Sequence, residues 1–173
     1  MHTMAEDFVK GSIPFVPTEI VKIAVQLETY KSVGAHAEAV WLLDYKWTPT
    51  ESNDEAWVKS IIDLHYPVKD VVYVKDYKSG QMYDDHREQL ELYGIMALIK
   101  YPEAKRVETS ALYMDTGYEG MEGSIIRAML PKLVDKWHTS AVTMMEDNDY
   151  DPKPGSACRW CPYAKAKGGP CVY

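Results

Sequence analysis

The segment that most constrains this chain is residues 71–80, which read V-V-Y-V-K-D-Y-K-S-G. Val and Tyr favour extended backbone, so the segment predicts a β-strand. Side chains alternate between the two faces of a strand, and Asp76 and Lys78 therefore share one face. Asp63 lies shortly upstream, in a second run of strand-forming residues at 57–66. The pattern predicts a β-hairpin that brings two carboxylates and an ammonium group together.

The register of this hairpin decides how close the charges come. A polar break of four residues separates the two strands, and that length closes a hairpin. Pairing of Tyr66 with Val71 would put Asp63 opposite Val74 and diagonal to Asp76. We therefore expect both carboxylates on one face. The alternative is a surface hairpin whose charges face solvent.

The two aspartates, if both are ionised at this separation, repel each other unless a cation lies between them. Mg²⁺ is typically held by one or two carboxylates together with waters and phosphate oxygens. An ammonium group beside such a cation can orient an attacking water or stabilise negative charge on a phosphate. Asp63, Asp76 and Lys78 thus indicate a centre for metal-assisted phosphodiester cleavage.

Residues beyond the hairpin extend the pattern into that of a known family. Residues 76–80 read D-Y-K-S-G, and Gln89 and Tyr93 follow as Q-x-x-x-Y. Together with Asp63, these motifs resemble the RecB-like branch of the PD-(D/E)XK nucleases, whose usual D-Y-K-T-G run has Thr where this chain has Ser. The resemblance covers residues 38–171. It is closest in style to small phage-encoded nucleases with a C-terminal cysteine cluster.

The resemblance implies an α/β fold with a restriction-endonuclease-like core, in which helices flank a mixed central β-sheet. It implies binding of Mg²⁺ or Mn²⁺ by the aspartates, and catalytic roles for Asp63, Asp76, Lys78, Gln89 and Tyr93. Gln89 and Tyr93 lie four residues apart on a helix, so they project from the same side. Their alternative roles are a core tyrosine and a surface glutamine. The implied partner is DNA with single-stranded or duplex ends, and a homo-oligomer or a recombination or replication protein is a further candidate partner.

A further metal ligand is expected in the stretch G-A-H-A-E-A-V-W at residues 34–41. Many RecB-like members have a His after a Gly before the first strand, which favours His36. Phage-type members have a Glu on the element that leads into a D-x-x-W-x-P stretch. This chain reads D-Y-K-W-T-P at residues 44–49, which favours Glu38. A lone His is more often structural, so Glu38 is the first choice and His36 the second.

The three cysteines, Cys158, Cys161 and Cys171, lie close together in the sequence as C-x2-C-x9-C. In the resembling family, four cysteines hold an iron–sulfur cluster, the first of them from upstream of the nuclease core. This chain has no fourth cysteine, so a four-cysteine cluster cannot form from it alone. The alternatives are a Cys₃His zinc site with His138 or another histidine as fourth ligand, a degraded cluster, and free thiols. In each case the segment has a structural role.

The other elements follow from periodicity and from helix-breaking residues. Residues 33–43 fit either the end of a helix or a strand. We expect a helix over 17–30 with Thr18 as N-cap, a helix over 85–100, a strand over 106–114, and a helix over 124–146 that is kinked at Pro131.

Length and composition fit one nuclease domain, since the chain has 173 residues of which 46% are hydrophobic. Within it we distinguish an N-terminal arm, residues 1–16, and the cysteine-containing segment, residues 152–173. No apolar run approaches the ~20 residues that cross a bilayer. The polar start lacks the basic region of a signal peptide. We therefore expect a cytoplasmic protein that does not enter membranes, located in the host cytoplasm if it is phage-encoded.

The net charge of −7 is unusual for a DNA-binding protein, which normally carries a basic surface. It indicates weak, salt-sensitive DNA binding rather than tight, sequence-specific binding. The expected function is that of an Mg²⁺- or Mn²⁺-dependent DNase in recombination, repair or replication, acting as an exonuclease or a structure-specific endonuclease. The alternatives are a catalytically inactive nuclease-fold protein that binds nucleic acid or a partner, and a cysteine-based metal-binding module.

Overall fold

The computed structural model describes residues 1–80, 85–149 and 151–172. The chain forms two compact units, Met1–Trp137 and His138–Tyr173. The helices are α1 (His2–Val9), α2 (Ala24–Ser32), α3 (Asp85–Lys100) and α4 (Leu130–Glu146), with short 3-10 helices at Thr18–Ile23, Arg127–Met129, Ser156–Arg159 and Lys165–Lys167. The strands are β1 (His36–Leu43), β2 (Pro49–Thr50), β3 (Val58–Val68), β4 (Val71–Lys78), β5 (Arg106–Tyr113) and β6 (Tyr118–Ile126).

The six strands form one mixed sheet in the order β2-β1-β3-β4-β5-β6. Strands β4 and β5 run parallel, and every other neighbouring pair is antiparallel. A parallel pair needs a crossover connection, which α3 supplies between these two strands. Helices flank this sheet, so the predicted restriction-endonuclease-like α/β fold is confirmed.

Helices cover both faces of the sheet and bury a separate apolar cluster on each. On one face, α3 packs against β4, β5 and β6, and its cluster includes Ile62, Val72, Val74, Met96, Leu98 and Val107. On the other face, α1 and α2 contribute to a cluster that includes Phe8, Ile23, Leu27, Leu64, Tyr77 and Leu112. Strand β4 alternates as expected, so Asp76 follows Val72 and Val74 on the face covered by α3.

The predicted hairpin register is wrong by two residues. Tyr66 pairs with Tyr73, and Val68 pairs with Val71, so the turn contains only two residues rather than four. Lys69, in this turn, has a left-handed φ of 56°. From Leu64 onward, the even shift keeps the side chains on their predicted faces, because the side-chain period of a strand is two. It moves Asp63 from a position opposite Val74 to the level of Asp76.

Two expectations about helices also fail. Residues 124–126 belong to β6, and α4 begins at Leu130. Pro131 therefore lies in the first turn, where a missing N–H costs no hydrogen bond, and it does not kink the helix interior. Near the N-terminus, a 3-10 helix precedes α2, and Thr18 makes no capping hydrogen bond. The ambiguous residues 33–43 contain β1, whereas the predicted helix over 85–100 and the predicted strand over 106–114 are confirmed.

The N-terminal residues are part of the folded core. Ala5, Phe8 and Val9 of α1 are buried in the cluster that also holds α2. Across the described residues, no helix combines the length and apolar character that crossing a membrane requires.

Candidate active site

Asp76 and Lys78 lie at the end of β4, next to the parallel strand β5. Asp76 is only 3% exposed, and the Nζ of Lys78 lies 2.6 Å from its Oδ2. Burial raises the pKa of Asp76 above its ordinary value, and the Lys78 ammonium offsets only part of that rise. The predicted pair is therefore together on one face, as an ion pair in a largely desolvated position.

Helix α3 continues this pair through Gln89 and Tyr93. Lys78 Nζ donates a hydrogen bond to Gln89 Oε1 at 2.6 Å, and Gln89 Nε2 donates to the Tyr93 hydroxyl at 2.6 Å. Burial raises the pKa of Tyr93 to about 12, so its hydroxyl stays protonated at neutral pH. Tyr93 packs in the apolar cluster, as its structural role predicts, and is hydrogen-bonded to Gln89 as well; its catalytic role stays a prediction.

Glu38 and Asp63 face each other across the β1–β3 pair. The flanking residues pair as Ala37 with Leu64 and Ala39 with Ile62, which puts Glu38 opposite Asp63. The main-chain N–H of Tyr77 donates to Asp63 Oδ2 at 2.6 Å, which ties this carboxylate to β4.

At this point the regular alternation of side chains between the two faces of the sheet is interrupted in both β1 and β3. Ala37 and Leu64 pack in the cluster of α1 and α2, whereas Ala39 and Ile62, two residues along each strand, pack in the cluster of α3. Residues two apart in a regular strand would share a face. Glu38 has a left-handed φ of 53°, which is costly for a residue with a long side chain. Such local strain often accompanies functional positions.

His2 is a site residue that sequence reasoning missed. Its Nδ1 lies 3.7 Å from Asp63 Oδ2, and the Asp63 carboxylate raises the pKa of His2. His2, Glu38 and Asp63 each offer a ligand atom within 4.8 Å of the others. Among the described residues, this is the only such group of three or more. The polar sequence of residues 1–16 predicts only an N-terminal arm, without a site residue.

The spacing of Ala5, Phe8 and Val9 would have predicted an amphipathic helix at the N-terminus. That helix places His2 in the site. His36, the second candidate ligand, lies outside the group of three: it is exposed, and its ring stacks on His65 with centroids 5.1 Å apart. Burial and the neighbouring Asp63 carboxylate both raise the pKa of Glu38.

The three cysteines are free and half-buried. Cys158 Sγ accepts the Gly155 N–H at 3.3 Å, and the Cys171 N–H donates to Tyr163 O at 3.0 Å. The backbone therefore turns back after Gly168, as its glycine-rich sequence suggests. The three sulfurs do not form a group within 4.8 Å of one another in the described chain. Zinc or iron–sulfur binding at these cysteines stays a prediction.

The acidic residues at the end of β4 are suited to a divalent cation. Asp76 Oδ2 is buried, and the Lys78 ammonium 2.6 Å away offsets only part of the cost of burying its charge. A cation bound beside it would supply further positive charge. Carboxylate oxygens are the ligands that Mg²⁺ and Mn²⁺ prefer, and a histidine is compatible with Mn²⁺.

Comparison with known proteins gives a family match and distant structural likenesses. The family model of the PD-(D/E)XK nuclease superfamily matches residues 23–166, a range that contains every site residue named above except His2 and Cys171. Among solved structures, the protein described as "Crystal structure of SSO0001" has 15% sequence identity and a TM-score of 0.43. The match covers 85% of this chain and 66% of that one, so this chain spans slightly less than two thirds of its length. No curated protein matches the chain.

Proposed function

The chain belongs to the PD-(D/E)XK nuclease superfamily, and we propose that it is a divalent-metal-dependent DNA nuclease of the RecB-like branch. Superfamily members are usually hydrolases that cut nucleic acids with the help of divalent metals. One observation carries the proposal: an unbroken series of polar contacts runs from Asp76 through Lys78 and Gln89 to Tyr93, beside the Asp63 carboxylate.

Asp63 and Asp76, with Glu38, would hold Mg²⁺ or Mn²⁺. A cation bound there supplies Lewis-acid polarisation of a phosphate oxygen and lowers the pKa of a bound water. Asp63 is already oriented by the Tyr77 N–H, and Asp76 is desolvated. His2 is a candidate additional ligand from α1, because its ring nitrogen lies within the same group of ligand atoms as Glu38 and Asp63.

Lys78 is the residue that acts on the substrate. An ammonium has three N–H donors, and the contacts to Asp76 and Gln89 account for two of them. The third can donate to the attacking water or to the phosphate oxygen on which negative charge grows. Gln89 fixes the position of Lys78, and Tyr93 fixes the position of Gln89. A lysine held in this way loses little conformational entropy when the substrate binds.

The substrate we propose is DNA, in recombination, repair or replication, and the style of the motifs favours a phage-type enzyme. The enzyme would act as an exonuclease on single-stranded or duplex ends, or as a structure-specific endonuclease. Linear and covalently closed circular DNA distinguish these two modes, because a circle offers no end. Release of mononucleotides from linear DNA alone would identify the exonuclease.

The deciding experiment measures cleavage of end-labelled DNA with Mg²⁺, with Mn²⁺ and with chelator. We expect cleavage only with metal, and none for Asp76→Ala. The matched control is Asp70→Ala, which removes an aspartate at the opposite end of β4 that pairs with the exposed Lys105 at 3.1 Å. Asp70→Ala should cleave at the wild-type rate. If the folded wild-type protein cuts no DNA with either metal, the chain is a nuclease-fold binding protein instead.

A further inference from the structure

The C-terminal segment of the second unit has a charge unlike that of the whole chain. Residues 151–172 contain four basic residues and one acidic residue, within a protein of net charge −7. All four basic side chains are exposed: Lys153, Arg159, Lys165 and Lys167. This short stretch is therefore net positive within an acidic chain, as a surface that binds nucleic acid normally is.

Two aromatic side chains in the same segment are turned to solvent. Trp160 is 74% exposed and Tyr163 is 66% exposed. Large aromatic residues are normally buried, so two of them exposed and three residues apart are informative. The Arg159 guanidinium lies 5.2 Å from the centre of the Trp160 ring, which adds a cation beside the aromatic surface.

The backbone of this segment is organised and not extended. Trp160 N–H donates to Ala157 O, and Gly169 N–H donates to the carbonyl of Ala164, whose side chain is buried. Gly169 approaches Tyr163 so closely that an added Cβ would lie 2.3 Å from its carbonyl group, and only glycine fits there. These contacts hold the two aromatic rings and the lysines on a defined loop.

Exposed aromatic rings among cations suit one class of ligand in particular. Single-stranded nucleic acid presents unpaired bases that stack on such rings, and phosphates that attract the cations. Duplex DNA keeps its bases stacked inside the helix, so the rings would gain little from it. We propose that residues 151–172 form a binding surface for single-stranded DNA, with Trp160 and Tyr163 as stacking platforms and Arg159, Lys165 and Lys167 as phosphate contacts.

This surface deepens the proposed function, and the identity of its ligand as DNA rests on that function. A binding surface separate from the catalytic residues would keep the DNA strand bound while individual phosphodiester bonds are cut. It also accounts for DNA binding by a chain whose overall charge repels phosphate.

The test measures binding of a fluorescent oligothymidine of about 20 nucleotides by anisotropy, in chelator so that no cleavage occurs. The variant is the full chain with Trp160→Ala and Tyr163→Ala. We expect its dissociation constant to rise at least about tenfold, because stacking on each ring contributes to affinity. The matched control is Phe15→Ala, which removes another aromatic side chain that is 80% exposed and should leave binding within about twofold.

A second variant does not touch the aromatic residues or the local fold. Lys165→Ala with Lys167→Ala should weaken binding and reduce the slope of log affinity against log salt by about 1.4, since each phosphate contact on a single strand contributes about 0.7. The control removes two exposed lysines of the first unit, Lys46→Ala with Lys69→Ala, and should leave the slope unchanged.

The outcomes separate this proposal from the proposed function. Wild-type protein that binds oligothymidine but never cuts DNA would leave the binding surface intact and overturn the nuclease assignment. A protein that cuts DNA but binds oligothymidine equally well in all variants would overturn the surface and leave the nuclease. Equal losses for a hairpin-capped duplex, or for the control variants, would also overturn it.

Discussion

Strand β4 carries two lysine–carboxylate pairs, one on each face, and they differ in a way that distances alone do not show. Lys75 Nζ lies 2.5 Å from Glu119, on the face covered by α2, and Lys78 Nζ lies 2.6 Å from Asp76, on the face covered by α3. Both lysines are largely buried. The two pairs could be mistaken for equivalent structural ion pairs.

The surroundings of the two carboxylates shift their pKa values in opposite directions. Burial by itself would raise the pKa of Glu119, but hydrogen bonds from Lys75 and Ser110 outweigh it, and the pKa lies below its ordinary value. For Asp76, burial outweighs Lys78, and the negative charge of Asp63 adds to the rise in pKa. The first carboxylate has its partners within the protein, whereas the second lacks enough positive charge.

A buried ion pair of this kind stabilises the fold only when its hydrogen bonds are complete. The pair at Glu119 holds β4, β5 and β6 together. At Asp76, the ionised carboxylate is destabilised by burial in the metal-free protein. A bound cation would remove this cost, so the site would favour metal binding.

The largest expected effect comes from exchanging each lysine for methionine. Lys78→Met should lower metal-dependent DNA cleavage at least about 100-fold, because it removes a donor to the developing charge. Lys75→Met should leave cleavage per folded molecule nearly unchanged. It should lower the free energy of unfolding by about 3 kcal/mol, because Glu119 then lacks its ammonium partner. Cleavage rates and urea denaturation check both; loss of activity in Lys75→Met without loss of stability would contradict the distinction.

Metal binding should also distinguish the two carboxylate sites, because it should raise the melting temperature through the site at Asp63 and Asp76 and not through Glu119. At a Mg²⁺ or Mn²⁺ concentration of 100 times the dissociation constant, the folded state gains about 2.7 kcal/mol, which raises the melting temperature by roughly 5–10 °C. Asp63→Asn should lose most of this shift, whereas Glu119→Gln should keep it. Melting curves in metal and in chelator give the comparison. An unmoved wild-type curve in millimolar Mn²⁺ would count against a site at Asp63 and Asp76.

The smallest expected effect is that two substitutions change the free energy of unfolding in opposite directions, in metal-free protein at neutral pH. Asp76→Asn should raise the free energy of unfolding, and Glu119→Gln should lower it, each on the order of 1 kcal/mol. The folded state binds the Asp76 proton more tightly than the unfolded state does, so wild-type stability falls as pH rises through that raised pKa, and Asn removes the fall. Glu119 contributes stability above its unfolded pKa and loses it as pH falls through its lowered pKa.

Denaturation at several pH values measures both trends. The advantage of Asp76→Asn should vanish at acid pH, and the penalty of Glu119→Gln should shrink there too. A stabilising Glu119→Gln, or an Asp76→Asn that is less stable than wild type at neutral pH, would mean that the two carboxylates are not opposite cases.

Much of the architecture was predictable because it depends on local patterns. The alternation of Val72, Val74 and Asp76 set the faces of β4, and the i, i+4 spacing of Gln89 and Tyr93 set their common side on α3. The hairpin register was not predictable, because residues 67–70, which read P-V-K-D, are compatible with a four-residue turn. In the structure, Pro67 and Val68 continue the strand.

Other errors arose where a residue has two compatible environments. Pro131 was expected to kink a helix, and it lies in a first turn instead, because residues 124–126 pair with β5. Choosing between those outcomes needs the partner strand, which local sequence does not contain. His2 was missed for a similar reason, since it reaches Asp63 only when α1 packs against the sheet.

The sequence by itself determined the family, the sheet faces and the identity of the charged side chains at the end of β4. These depend on residue types and on the fixed period of strands and helices. Only the tertiary structure decided which carboxylates meet, because the left-handed backbone at Glu38 and the interrupted alternation in β1 and β3 bring Glu38, Asp63 and His2 together. It also decided that Asp76 and Glu119 differ, since a pKa depends on burial and on partners from distant parts of the chain.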